Sequence, residues 1–200
     1  MKRRILASAC LLLCMAGLAV AQDALKTLSA RLAESSAEFE YSFTTSGSDT
    51  PFAGSGKAIV AGPCYRIEGN GLDIRCDGKI RYTADPAAGE LVIESADGEA
   101  LDFLSNPALL LSDIGNNFTV RKSSKAAGKD VYELVPVNEP SVESLSLTLV
   151  KGKPTEAALK MKDGSQANFI VSAFRFTDEP GLWSFSEKEK AGYANITDLR

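Results

Sequence analysis

The feature that most constrains this chain is a repeated switch between alternating segments and turn dipeptides. From Glu38 to Thr44, the aromatics Phe39, Tyr41 and Phe43 alternate with Glu38, Glu40, Ser42 and Thr44. A period of two puts the aromatics on one face of a strand and the polar residues on the other. Strand-like runs follow at Gly56 to Ala61, Cys64 to Glu68, Leu72 to Cys76, Lys79 to Thr83 and Glu90 to Glu94. Gly69-Asn70-Gly71, Asp77-Gly78, Asp85-Pro86 and Asp97-Gly98 punctuate them as turns. After one interruption, strands resume at Phe118 to Lys122, Val131 to Val135, Leu145 to Val150, Thr155 to Met161 and Gln166 to Phe176, with Asp163-Gly164 as a hairpin turn. Short strands joined in this way predict an antiparallel meander. The last strand carries Phe169 and Val171 on one face and Ile170, Phe174 and Phe176 on the other, which predicts cover on both sides.

Two segments follow a different rule. From Asp23 to Ser36, Leu25, Leu28, Leu32 and Ala33 recur at helical spacing, with Asp23 as a cap. From Leu101 to Ile114, Asn106-Pro107 predicts a helix start and Gly115 its end. That second segment is too apolar for an ordinary surface helix.

The first twenty-one residues read as a secretory leader. Lys2, Arg3 and Arg4 precede an apolar run, and Ala19-Val20-Ala21 supplies small residues for cleavage between Ala21 and Gln22. The run is short for a membrane span. Residues 22–200, about 180 of them, suit a single domain in the periplasm. Loss of three positive charges takes the net charge from -4 to -7. An acidic chain is a poor partner for nucleic acid or anionic membrane surfaces.

The chain has no histidine, which removes Ser-His-Asp and Cys-His catalysis and the commonest transition-metal ligand. Cys64 and Cys76 match no zinc spacing. Gly54-Ser55-Gly56-Lys57 lacks the Ser or Thr of a phosphate loop, since Ala58 follows. A hydrolase is therefore not expected, nor any enzyme, cofactor or metal.

The mature chain keeps two cysteines, the number for one disulfide in an oxidising compartment. A three-residue Gly69-Asn70-Gly71 loop places Cys64 opposite Cys76. A two-residue Asn70-Gly71 turn instead faces Tyr65 with Cys76 and Ile67 with Ile74, and separates the sulfurs. The bridge is the favoured reading, because a free thiol pair is unusual in that compartment.

The order of elements resembles the LolA family of outer-membrane lipoprotein carriers, most of all the LolA-like proteins of Bacteroidetes-type bacteria. The likeness lies in Pro63-Cys64-Tyr65-Arg66-Ile67, in Cys76-Asp77-Gly78-Lys79-Ile80-Arg81-Tyr82, in the Asn106-Pro107 helix and in the Asp198-Leu199-Arg200 end. Typical members have Arg before the proline where Gly62 stands here, and that arginine is tied to lid closure. The resemblance implies an α+β, mainly β fold: an unclosed antiparallel barrel of about 10–11 strands covering a helical lid. It implies a monomeric periplasmic carrier of lipoprotein acyl chains or other lipid. An inner-membrane lipoprotein-releasing complex would be the donor, and an outer-membrane protein the acceptor. A lipid-sensing regulatory domain on the same scaffold is the alternative.

Acyl chains need an apolar concavity shielded from water. Phe39, Tyr41, Phe43, Ile59, Tyr65, Ile67, Ile74 and Tyr82 are the expected wall, and Leu101, Phe103, Leu104, Leu109, Leu110 and Leu111 the expected lid. In an exporting bacterial host the chain is expected to begin at Gln22. Intact mass measures this, and a product that retains Lys2 to Ala21 contradicts it.

Overall fold

The alternating segments pair into one twelve-stranded sheet in a computed structural model that describes residues 24–47, 51–96, 107–111, 114–138, 141–178 and 181–200. Helix α1 covers residues 24–34. The first six strands are β1 (Ser36–Ser46), β2 (Ala53–Ala61), β3 (Cys64–Gly69), β4 (Leu72–Cys76), β5 (Ile80–Asp85) and β6 (Glu90–Ser95). A 3-10 turn (Pro107–Leu110) and the short helix α2 (Ile114–Asn117) come next. Then follow β7 (Phe118–Ala126), β8 (Lys129–Pro136), β9 (Val142–Val150), β10 (Lys153–Met161), β11 (Gln166–Thr177), α3 (Glu187–Lys190) and β12 (Asn195–Asp198).

Strand β1 sits at the centre. From it the sheet runs one way through β2, β3, β4, β5 and β6 to β12, and the other way through β11, β10, β9 and β8 to β7. Every pairing is antiparallel except that of β12, which runs parallel to β6. The edges β7 and β12 are not paired with each other, so the barrel is unclosed. This is the expected mainly β architecture with one strand more than expected. No helix among the described residues is long and apolar enough to cross a membrane.

The inner face of the sheet is closed by α1 and by the segment around the 3-10 turn. Leu25, Leu28 and Leu32 of α1 are buried in one cluster with Ala37, Phe39, Tyr41 and Phe43 of β1. Ala33, expected on the same stripe, is exposed, and Ser36 already belongs to β1. Helix α2 contains Gly115 rather than ending at it. A side chain there would meet Ser29 Oγ at 2.4 Å, so the glycine allows α1 and α2 to touch.

Two backbone details set the register. Asn70 (φ 52°) and Gly71 (φ 84°) both lie in the left-handed region, as a two-residue hairpin turn requires. Tyr65 therefore faces Cys76, and Ile67 faces Ile74. The expected Cys64–Cys76 bridge is absent and both thiols are free, because this register leaves Cys64 one position out of line. The second detail lies in β11, where Ala173 (φ 52°) sits in a bulge as the β1 pairing shifts between Glu38–Arg175 and Glu40–Ser172. The extra residue turns Phe174 onto the same face as Phe169, where it stacks on Phe39 at 6.1 Å. The outer face of β11 is thus uncovered, with Ile170 54 % exposed, contrary to the expectation of cover on both sides.

At the other end, the outer face does carry a second core. Tyr82, Ala84, Leu91 and Ile93 of β5 and β6 pack with Phe185 from the C-terminal tail. Arg75, buried on this face, stacks on the Phe185 ring at 3.8 Å. Its guanidinium donates to Asp73 at 2.8 Å, to Glu189 at 3.1 Å and to the Ser184 carbonyl at 3.1 Å. Ser186 and Glu189 form a capping box on α3. Together these contacts fasten the tail, and β12 then covers the β6 edge.

The Ser186 hydroxyl and backbone N–H first, and Arg75 second, hold the Glu189 carboxyl at about 2, below its ordinary 4.5. A depressed carboxylate contributes stability that is complete above its unfolded value and is lost as pH falls through its folded value. Glu189→Gln should therefore lower the melting temperature at pH 7 and flatten its decline between about pH 5 and 2. Thermal melts followed by circular dichroism across that window check this, and parallel curves for the two proteins contradict it.

Candidate functional site

The inner face of β1 and its neighbours forms a continuous apolar floor. Successive cross-strand partners run from Phe43 to Phe169, Ala157, Leu147 and Tyr132. Toward the other edge, Phe39 is followed by Ala58, Ile67 and Ile74. All of these side chains are buried.

Glycines shape this floor. A Cβ on Gly56 would lie 2.4 Å from the Glu68 carbonyl and 2.8 Å from Tyr41 Oη, and one on Gly69 would lie 2.8 Å from the same hydroxyl. A Cβ on Gly54 would meet the Phe43 ring at 2.5 Å. The rings of Tyr41 and Phe43 thus lie flat over an aisle of glycines. The Gly54-Ser55-Gly56-Lys57 stretch makes room for aromatics, a device known from other sheets.

The 3-10 segment lies on the floor as an apolar strap. Ala108, Leu110 and Leu111 are buried in the main core. Leu110 and Leu111 line one small space with Phe39, Tyr41, Leu147, Pro154, Ala157, Phe169 and Val171, and the 3-10 turn also lies against β2 and β3, so the strap bridges the two halves of the sheet. The space left among these side chains is about 10 Å³, enough for about one water molecule. Among the described residues, this part of the expected hollow is occupied by the protein's own leucines.

Of the expected wall, Phe39, Tyr41, Phe43, Tyr65, Ile67 and Ile74 take that place. Ile59 does not: it is half-buried opposite Glu38 on the outer face, while Ala58 and Val60 turn inward. Tyr82 does not either, because Arg75 faces it across β4 and β5, which puts it in the second core under the tail. Of the expected lid, Leu110 and Leu111 are buried against the floor. Leu101, Phe103 and Leu104, and the side chain of Leu109, lie outside the described residues. Reading the sequence missed Leu147, Ala157, Phe169 and Tyr132, although the alternation of their strands carried the signal.

Two polar groups stand out on the inner face. Burial raises the Tyr65 phenol far above its ordinary range, with the Cys76 thiol and the Arg81 guanidinium as hydrogen-bond neighbours. The Tyr132 hydroxyl is fully buried and, among the described residues, has no hydrogen-bond partner. Burial first, and Asp130 second, push it up to about 12. An unpartnered buried hydroxyl costs about 1–3 kcal/mol.

At the unclosed seam, Leu25, Lys26, Ser29 and Ala30 of α1 face Ile114 and Gly115 of α2 and Phe118, Thr119 and Val120 of β7. The groove between them holds about 510 Å³ and is open to solvent. It falls in the size range of small-molecule sites. Ile114 is shared between this groove and the buried core beneath the strap.

The fold and its floor define a half-barrel closed over an apolar strap. No family model and no curated protein sequence matches the chain. Among solved structures, it is similar to a LolA superfamily protein from Nitrosomonas europaea, at 12 % identity over 82 % of this chain and 97 % of that one, with a TM-score of 0.48. It is similar also to an outer membrane lipoprotein-sorting protein domain from Vibrio parahaemolyticus, at 14 % identity over 84 % and 95 %, with a TM-score of 0.46. A third similar structure is MucB, at 15 % identity over 84 % of this chain and 64 % of that one, with a TM-score of 0.45.

The glycine aisle gives a direct test of the floor. Gly56→Ala places a methyl group against backbone atoms that cannot swing away. It should destabilise the fold by about 1–3 kcal/mol, as overpacking does. Urea unfolding measures this, and a midpoint equal to that of the wild type contradicts the packing described.

Proposed function

We propose that the protein is a periplasmic lipid carrier whose strap and cargo take turns on the same apolar floor. The observation that carries this is the position of Leu110 and Leu111. They are buried residues of a short irregular segment, seated at the centre of a floor built from Phe39, Tyr41, Leu147 and Phe169. Lipoprotein acyl chains are the cargo that the sequence resemblance implies. A lipoprotein-releasing complex in the inner membrane would load the carrier, and an outer-membrane acceptor would unload it.

The magnitudes favour exchange. Burying about 14 methylenes contributes about 11 kcal/mol, against about 3–6 kcal/mol for two leucine side chains. Association itself costs about 4–15 kcal/mol, so cargo and strap are closely matched and the strap limits how tightly cargo is held. The groove between α1 and β7 offers a route from solvent to the residues beside the strap. Handover then follows the relative affinities of donor, carrier and acceptor.

Truncating the strap separates this reading from a plain core. Leu110→Ala with Leu111→Ala should lower thermal stability, as removal of buried leucine atoms does at about 2–5 kcal/mol per site. The same variant should bind a long-chain acyl probe more tightly than the wild type. Fluorescence titration measures the affinity. Weaker or absent binding by the variant contradicts competition between strap and cargo. Mass spectrometry of what co-purifies with the wild-type protein identifies the cargo. A lipoprotein supports transport, and free lipid with a bound regulator supports the sensing role.

A further inference from the structure

We propose that the Tyr132 hydroxyl is the polar anchor of the floor, donating a hydrogen bond to the uncharged carbonyl oxygen of an ester-linked acyl chain. This rests on the reading of the protein as an acyl-chain carrier. Tyr132 faces Leu147, which faces Ala157, which faces Phe169, and those three line the space under the strap. Tyr132 continues their row by one strand, about 4.8 Å further on. It is a hydrogen-bond donor set between Leu147 and Ser123 on the neighbouring strands, fully buried and, among the described residues, without a partner.

The chemistry of the ligand follows from what surrounds the phenol. A hydrocarbon tail offers no acceptor, so it would leave the hydroxyl as it is. A free carboxylate would bring a negative charge toward Asp130, whose own charge is already felt at Tyr132. An ester carbonyl offers an acceptor without that charge, and it marks the end of the apolar chain. Tyr65 is a poorer candidate, since its phenol already has Cys76 and Arg81 beside it.

The test compares methyl palmitate carrying a 13C carbonyl with a hydrocarbon of matched length, each displacing a pre-bound apolar fluorophore. The wild type should bind the ester about 5- to 10-fold more tightly than the hydrocarbon, the amount one neutral hydrogen bond supplies. Tyr132→Phe should bind the two alike while melting no lower than the wild type. The 13C carbonyl stretch of the bound ester should lie at lower frequency in the wild type than in the variant. A wild type without preference for the ester overturns the proposal. So does an ester preference kept by Tyr132→Phe, or a bound carbonyl stretch in the wild type at its frequency in apolar solvent. Binding of neither probe by the wild type overturns the carrier reading itself, and this anchor with it.

Discussion

A sheet that curves without closing must cover its inner face, and the rest of this structure depends on how that is done. Twelve strands present phenylalanines, tyrosines and leucines to one concave surface. Left to water, that surface would cost tens of kcal/mol at about 25 cal/mol per Å². Among the described residues two covers serve it, and they are held differently. Helix α1 is a regular element that contributes three buried leucines, and its Leu32 carbonyl accepts from Gly62 N–H at 2.9 Å. The strap is a single 3-10 turn in which Leu111 N–H donates to the Ala108 carbonyl at 3.0 Å. Its Ala108, Leu110 and Leu111 side chains are buried in the floor, and side-chain burial is what an acyl chain can replace.

The two halves of the sheet divide the work. Strand β4 is packed on both faces, with Ile74 and Cys76 in the floor and Arg75 on the Phe185 ring, while β5 and β6 carry the outer cluster around Phe185. The buried Arg75, fixed by Asp73, Glu189 and the Phe185 ring, ties the tail to that half. In the other half, the outer face of β11 is open to solvent and β7 is a free edge beside the seam groove. A barrel with one half fastened by its tail and the other ending in an unpaired edge can admit a ligand at its seam without unfolding its frame.

Much of this was legible in the sequence, and the exceptions have definite causes. The Phe39-Tyr41-Phe43 alternation announced both the central strand and its inward face. Ile59 misled because Val60 beside it is equally apolar, so period two alone could not say which of them turned inward. Tyr82 misled for a related reason. Alternation groups residues onto a face, but the tight β4–β5 connection decides which face is concave, and here it pairs Tyr82 with Arg75. The bulge at Ala173 reversed the faces of Phe174 and Phe176, and no glycine marked it. Strand β12 had no alternation to read, as all four of its residues are exposed. The apolar excess near residues 107–111 was plain, but composition could not tell a lid over a hollow from a strap that fills one. The isolation of the Tyr132 hydroxyl is a property of its neighbours in space, and no linear pattern encodes it.

The central claim, that cargo and strap exclude one another from the floor, is tested most directly by hydrogen exchange with and without a bound long-chain acyl lipid. The account predicts that amides of residues 107–111 lose protection when the lipid is bound, while those of β9, β10 and β11 keep theirs. Unchanged or increased protection of the strap in the lipid-bound protein would contradict it.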